Sequence, residues 1–283
     1  MTDTLTLNGQ RLRIPVLATG ATSLMKQLSD DNIPFEQLAS VIEQFPSISM
    51  RLIALANSAW SGSSVEVTSV MDACTRLGFN VVRSTSIALV VSAPFDPHRC
   101  PAFQPVRYWQ DSMLIAEAAF GLTPEDGMPS PLCSQTMRTL GLLHNLGLLW
   151  LADSMPQETQ AALLLSSADD SLSVSEALIE TCGFDYCTVA EALCNEWQLP
   201  DAMSRVLAHQ NTPAYKAQHW QGTELLRISK QLIRTLGTAT PESLAQIETD
   251  TLSIEFATLR AEYRRLEQLQ PRINDLASSL FLN

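Results

Sequence analysis

The sequence carries four histidines, His98, His144, His209 and His219, and six cysteines, Cys74, Cys100, Cys133, Cys182, Cys187 and Cys194. These are the residue types from which a metal site or an activated nucleophile could be assembled. Their spacing builds neither. No Cys-x-x-Cys pair occurs and no His stands at zinc-finger distance from a Cys, so the thiols read as small apolar members of a helical core, free and reduced. Asn57 and Ser58 sit at a turn, but no general base neighbours Ser58 in sequence, and the pair reads as a helix C-terminal bonding motif. His144 falls among Leu140, Leu143, Leu148 and Leu151, where a histidine bonded to a carbonyl or carboxylate is favoured over a ligand or base. His98 lies in a proline-rich stretch and His219 in a polar, Trp-flanked one, so both read as solvated. Phosphate-binding loops, dinucleotide fingerprints and nucleophile elbows are absent.

Whatever brings such groups together must be helical. From Pro34, Phe35, Leu38, Ala39 and Ile42 recur at three- and four-residue steps, and after Pro46 so do Ile48, Leu52, Leu55 and Ala56. Thr68 and Ser69 precede a third helix over 70–77, with Asp72 three residues beyond Ser69 and Gly78 as its stop. Asn80 is placed to cap a fourth, through Val81, Ile87 and Val90. Four prolines between 94 and 105 read as a linker. Helical period returns at 106–120, over the whole of 132–152, and at 156–167, 173–182, 186–197, 200–209 and 215–236. Phe256, Leu259, Tyr263, Leu266 and Leu269 then form a stripe on a long helix expected to break at Pro271. That stripe requires a cover, either the chain's own bundles or a partner or dimer helix.

The fold class is therefore all-α, with an extended arm at 1–13, a helical sub-bundle at 14–93, a linker at 94–105, a second bundle at 106–210 and a C-terminal helical extension at 211–283. A chain of 283 residues that is 46% hydrophobic can bury a large core. Charged residues make up only 17%, against roughly a quarter in an average soluble domain. The net charge of −12 and pI near 4.7 argue against nucleic acid and anionic membrane as partners. The apolar run at 140–152 is broken by Gly141, His144, Asn145 and Gly147, shorter than the roughly 18 residues of a membrane span. No secretory signal is visible in residues 1–10, and a cytoplasmic location is expected.

Several segments in a fixed order carry a family likeness. They are Arg51-Leu-Ile-Ala-Leu-Ala-Asn57-Ser58-Ala-Trp60, Val67-Thr-Ser69 with Ala73 and Leu77-Gly78, and Tyr108-Trp109-x-x-Ser112. Gly141-Leu-Leu-His144-Asn145-Leu-Gly147, Glu176 with Gly183-Phe-Asp185, and Trp197-Gln-Leu-Pro200 follow. From Ile14 to Gln210 the chain resembles the HDOD family, an all-helical relative of the HD-domain phosphohydrolases. The resemblance implies a bacterial-type protein of signal transduction or gene regulation, with a protein partner in a signalling pathway or a small ligand.

Departures from the hydrolytic pattern bear on the chemistry. Where hydrolytic relatives carry metal-binding His and Asp residues, this chain has Asp111, Asn145 after His144, Tyr186 after Asp185, and Gln210 after His209. A carboxamide lacks the charge that offsets the desolvation of a divalent cation, and the Gly-Tyr-Pro signature of cyclic-dinucleotide phosphodiesterases is absent. The resemblance thus implies a vestigial pocket of Asp111, His144, Asn145, Asp185, Tyr186 and His209, with no metal, cofactor or catalytic residue. In it Tyr186 is expected to reach His144 or Asp111 with its hydroxyl, and Asn145 to bond the backbone. The alternative is a metal-dependent phosphohydrolase with a shifted ligand set of Asp111, His144, Asp185 and His209.

Overall fold

In the computed structural model of the chain, the described residues are 4–7, 10–15, 17, 20–28, 30, 33–58, 65–124, 128–169, 171–238 and 241–281. Trp60 and Gly62, part of the Asn-Ser turn segment, lie outside them. The arm is a hairpin of β1 (Thr4–Leu7) and β2 (Gln10–Arg13), antiparallel with Leu5 opposite Leu12. Everything else among the described residues is helix and connection. No single helix among the described residues is long and apolar enough to cross a membrane.

Among the described residues the first group is made of α1 (Ala21–Leu28), α2 (Phe35–Glu43), α3 (Pro46–Ala56), α4 (Val70–Leu77) and α5 (Phe79–Ser92). The sequence reading overlooked α1, whose eight residues include Thr, Ser, Lys and Gln and bury only one narrow stripe, Ala21, Leu24, Met25 and Leu28. Ser69 caps α4 by accepting from the Asp72 amide at 3.0 Å. Asn80 was expected to cap α5, but the helix begins one residue earlier at Phe79, after Gly78 with φ 82°. A left-handed residue there turns the chain between α4 and α5 without the steric cost of a Cβ. The Asn57 side chain works as a clamp on the loop that follows α3. Its Nδ2 donates to the Val67 carbonyl at 2.7 Å and its Oδ1 accepts from the Val67 amide at 2.8 Å. Ser58 Oγ donates to the Leu55 carbonyl at 2.7 Å, so both members of that motif are spent on backbone.

The segment at 94–105 buries Phe95, Cys100 and Phe103. Beyond it come α6 (Pro105–Gly121), α7 (Ser134–Leu143), α8 (Leu146–Ser154), α9 (Pro156–Ala168), α10 (Val174–Cys182), α11 (Tyr186–Glu196), α12 (Asp201–His209) and α13 (Trp220–Arg234). The expected single helix over 132–152 is two helices, parted at His144 and Asn145. Two glycines explain how the halves pack. A Cβ on Gly141 would stand 2.6 Å from the Ala116 Cα, so α7 lies directly on the α6 backbone. A Cβ on Gly147 would collide with the Tyr186 carbonyl, so α8 meets the first turn of α11 backbone to backbone. Burial on both sides of the break keeps the apolar run continuous across it.

The chain ends in α14 (Pro241–Ala245) and α15 (Phe256–Phe281). Contrary to the expected interruption, α15 continues through Pro271. Pro271 and Glu267, whose carbonyl loses its amide partner, are both exposed, so water can serve that carbonyl. The chain itself covers most of the stripe: Leu259, Tyr263 and Leu266 are buried, with α15 packed against α6, while Phe256 is 43% exposed. A charged cluster ties the two helices. Glu117 of α6 pairs with Arg138 at 3.1 Å and with Arg265 at 3.2 Å, and Arg265 pairs with the buried Glu262 at 2.7 Å. Removing one partner of such a buried pair strands a charge.

Gly141→Ala and Gly147→Ala should each lower stability by about 1–3 kcal/mol through overpacking. Gly237→Ala, which has open space and only a left-handed φ of 81° to oppose it, should cost about 1 kcal/mol; denaturant titration separates the two classes. Deleting residues 256–283 uncovers the α6 face and should abolish the cooperative thermal transition or cause aggregation, read by calorimetry and light scattering.

Candidate functional site

The break between α7 and α8 faces a cleft of about 880 Å³, walled by α6, α10, α11, the end of α12 and α13. Asp111, His144, Asn145, Asp185 and Tyr186 all line it. His209 does not: its ring stacks on Tyr215, centroids 4.2 Å apart. The next residue, Gln210, turns inward instead and is buried.

One continuous polar network crosses the interior. The His144 ring engages the Gly141 carbonyl through Nδ1 at 2.8 Å. A carbonyl only accepts, so Nδ1 carries the proton and Nε2 is the acceptor nitrogen. Gln210 Nε2 donates to the His144 carbonyl at 2.7 Å, and Gln210 Oε1 accepts from Lys230 Nζ at 3.0 Å. Lys230 also donates to Asn211 Oδ1 at 2.7 Å, and Asn211 Nδ2 donates to the Tyr186 hydroxyl at 2.8 Å.

Lys230 is only 9% exposed, and its ammonium is held by two neutral carboxamides. Burial pushes it down to about 8, Arg234 acting in the same direction and Cys187 and Asp185 against it. His144 is driven down to about 3, first by burial and next by the Lys230 charge, and the ring is neutral near pH 7.

The carboxylates around the cleft are occupied. Asp185 caps α11, its Oδ1 accepting from the Thr188 amide at 3.0 Å and its Oδ2 from Ser175 Oγ at 2.5 Å. Burial raises its carboxyl, but these hydrogen bonds outweigh burial and leave it below its ordinary value. Glu176 closes a capping box with Ser173 at the start of α10. Asp111, about half exposed, lies 4.0 Å from the Arg107 guanidinium, and burial raises its carboxyl against the pull of that cation.

The Tyr186 hydroxyl is taken by Asn211, not by His144 or Asp111, because Asn211 is the residue that Lys230 orients toward it. Asn145 makes no side-chain capping bond to α8; its carbonyl accepts from the Leu148 and Leu149 amides. Sequence reasoning missed Lys230, Asn211 and Arg234, which lie beyond the recognised motifs. The available signal was a lysine at a core-facing position, four residues after Leu226 and three before Ile233.

The family model of the HDOD domain matches residues 14–213. The chain belongs to the HDOD family. No curated protein is significantly similar to it. Among solved structures, a protein of Marinobacter aquaeolei VT8 provisionally named for signal transduction superposes with a TM-score of 0.79 at 24% identity, over 94% of this chain and 60% of that one. This chain thus spans less than two thirds of the Marinobacter protein. A provisionally named phosphohydrolase of Shewanella amazonensis SB2B gives 0.70 at 19% identity, over 94% and 95% of the two chains. An HDOD domain protein of unknown function from Geobacter sulfurreducens gives 0.70 at 17%, over 95% and 94%. At these identities the likeness concerns the fold.

A divalent metal, which the HD relatives of the HDOD family imply, does not fit the donors present. Among the described residues no three His, Cys, Asp or Glu side chains converge as a ligand set. His209 stacks elsewhere, Asp185 is spent on a helix cap, and the Lys230 ammonium stands in the cleft.

The electrostatics of His144 set a pH dependence. Its pKa is about 3 in the fold against an ordinary 6.5, so between those values the unfolded chain binds a proton that the folded chain does not. The group is neutral in both states above pH 6.5 and costs stability as pH falls toward 3, by at most about 1.4 kcal/mol per pH unit. His144→Gln should flatten this part of the acid limb in a series of denaturant titrations from pH 7 to 4; an unchanged limb would assign it to other groups.

Proposed function

We propose that this HDOD chain is a non-catalytic regulatory protein of signal transduction, acting by binding a small ligand or a protein partner and not by hydrolysing phosphate esters. The observation that supports it is the Lys230 ammonium, bonded to Gln210 and Asn211 inside the cleft. A hydrolytic site would use a divalent cation to acidify water and stabilise the transferred charge. In this cleft such an ion would face Lys230, Arg234, Arg227 and Arg107 without a convergent set of anionic ligands. Electrostatic repulsion in a partly desolvated site then works against metal binding.

The name of the Marinobacter neighbour accords with a signalling role. That of the Shewanella neighbour suggests the rival, a phosphohydrolase using Asp111, His144, Asp185 and His209. The rival is disfavoured because the His209 ring stacks on Tyr215 and is not part of the cleft lining. A cytoplasmic location belongs to the same proposal, supported by six cysteines that form no disulfide.

Protein purified without chelator should contain no stoichiometric iron, manganese or zinc by elemental analysis. It should hydrolyse neither nucleoside monophosphates nor aryl phosphates above background with any of these metals added. A stoichiometric metal that disappears in His144→Ala, together with metal-dependent turnover, would replace this proposal with the hydrolase.

A further inference from the structure

The cations and carboxylates of the cleft are unequally committed. Arg107 faces Asp111, and Arg227 makes a bidentate pair with Glu224, at 3.0 and 2.6 Å. Asp185 and Glu176 are bound into the caps of α11 and α10, where helix dipoles offset part of their charge. Lys230 and Arg234, one turn apart on α13, are in no ion pair among the described residues, and both line the cleft. Carboxamides satisfy two of the three ammonium hydrogens and the Tyr186 ring centroid lies 5.9 Å from Nζ, which leaves one donor of Lys230 without a hydrogen-bond acceptor. His144, which also lines the cleft, keeps Nε2 as an acceptor, and the Asn145 side chain caps nothing. A buried cation with a spare donor, a second cation one turn away on the same helix and a neutral imidazole acceptor in the same cleft form a complementary set. Together they suit an oxyanion that also carries a proton of its own.

We infer that the cleft is a metal-independent receptor for a small oxyanion, with Lys230 as its fixed cation, Arg234 as a second anchor and His144 Nε2 as acceptor for the anion's own hydroxyl. This deepens, and rests on, the proposal of a non-catalytic binding protein. An ammonium held in place by two carboxamides is preorganised, so little side-chain entropy is lost when the anion arrives. Its weak competition from water in a partly desolvated site strengthens charge-assisted hydrogen bonds. The volume of about 880 Å³ exceeds that of the anion alone and leaves room for an organic body of drug-like size beyond it. In a chain of net charge −12 the site is a local reversal of sign, which favours a small diffusible anion over an extended polyanion.

The test uses the full chain in EDTA at pH 7, titrated with inorganic phosphate at ionic strength held constant with chloride, followed by calorimetry and melting temperature. The expected result is saturable phosphate binding that raises the melting temperature where chloride does not. Arg234→Gln and Lys230→Met should each weaken it by about tenfold or more, the effect of losing a charge-assisted hydrogen bond. Lys230 is buried and its variant can unfold; Arg234 is exposed, so Arg234→Gln decides the matter if Lys230→Met does not fold. Equal responses to chloride and phosphate, or unchanged affinity in folded Arg234→Gln, overturn the receptor. Failure of phosphate binding without any metal-dependent hydrolysis overturns the receptor alone. Binding seen only after a divalent metal is added overturns the metal-independent receptor, and accompanying turnover overturns the non-catalytic proposal as well.

Discussion

An ammonium removed from water must be surrounded by acceptors, and that demand at Lys230 organises the centre of this molecule. Lys230 is supplied by the side chains of Gln210 and Asn211, which are thereby held in single orientations. Their remaining amide hydrogens then reach the His144 carbonyl and the Tyr186 hydroxyl. One charge thus couples α13, the end of α12, the α7–α8 break and the start of α11. Because the acceptors are carboxamides, the bonds are satisfied while the charge itself is not neutralised, and the effect extends to His144, whose ring that charge helps keep neutral.

Steric constraint does the complementary work. The polar network closes only if α7 and α8 approach their neighbours to backbone contact, which Gly141 and Gly147 permit against Ala116 and Tyr186. With those contacts made, His144 and Asn145 fall at the point where one helix stops and the next begins. The ring therefore faces a cleft and not the middle of a packed helix. On the far side of α6, the Glu117–Arg265–Glu262 pairs and the Leu259, Tyr263 and Leu266 stripe make α15 part of the same core.

The first group of helices is joined to this core through aromatic and backbone contacts. Trp197 Nε1 donates to the Pro15 carbonyl at 3.0 Å, and the Trp197 ring lies against Phe95, centroids 6.4 Å apart. Phe281 at the tip of α15 stacks on Trp109 at 4.8 Å, and Arg51 of α3 donates to the Leu280 carbonyl at 3.3 Å. Three of the residues that made the family legible, Trp109, Trp197 and Asn57, thus serve the scaffold that holds the cleft, while His144, Asn145 and Asp185 of the same pattern line it.

Local physics was readable in the sequence. Apolar steps of three and four residues, proline at first turns and Ser69 before α4 each follow from interactions within a few residues of each other, and the HDOD pattern over 14–210 depends on such segments in order. The positions of Asp111, His144, Asn145, Asp185 and Tyr186 came from that pattern, and these five line one cleft. What periodicity could not decide was set by contacts distant in sequence. The helix break at His144 depends on α6 and α11, the continuation of α15 through Pro271 depends on which face meets solvent, and the choice between His209 and Gln210 depends on where Lys230 sits. A lysine among leucines on α13 carries no sign, in sequence, of the amides it will meet. Only the tertiary structure brings Gln210 and Asn211 to it, because the free energy of burying a charge is determined by groups that the chain delivers from elsewhere.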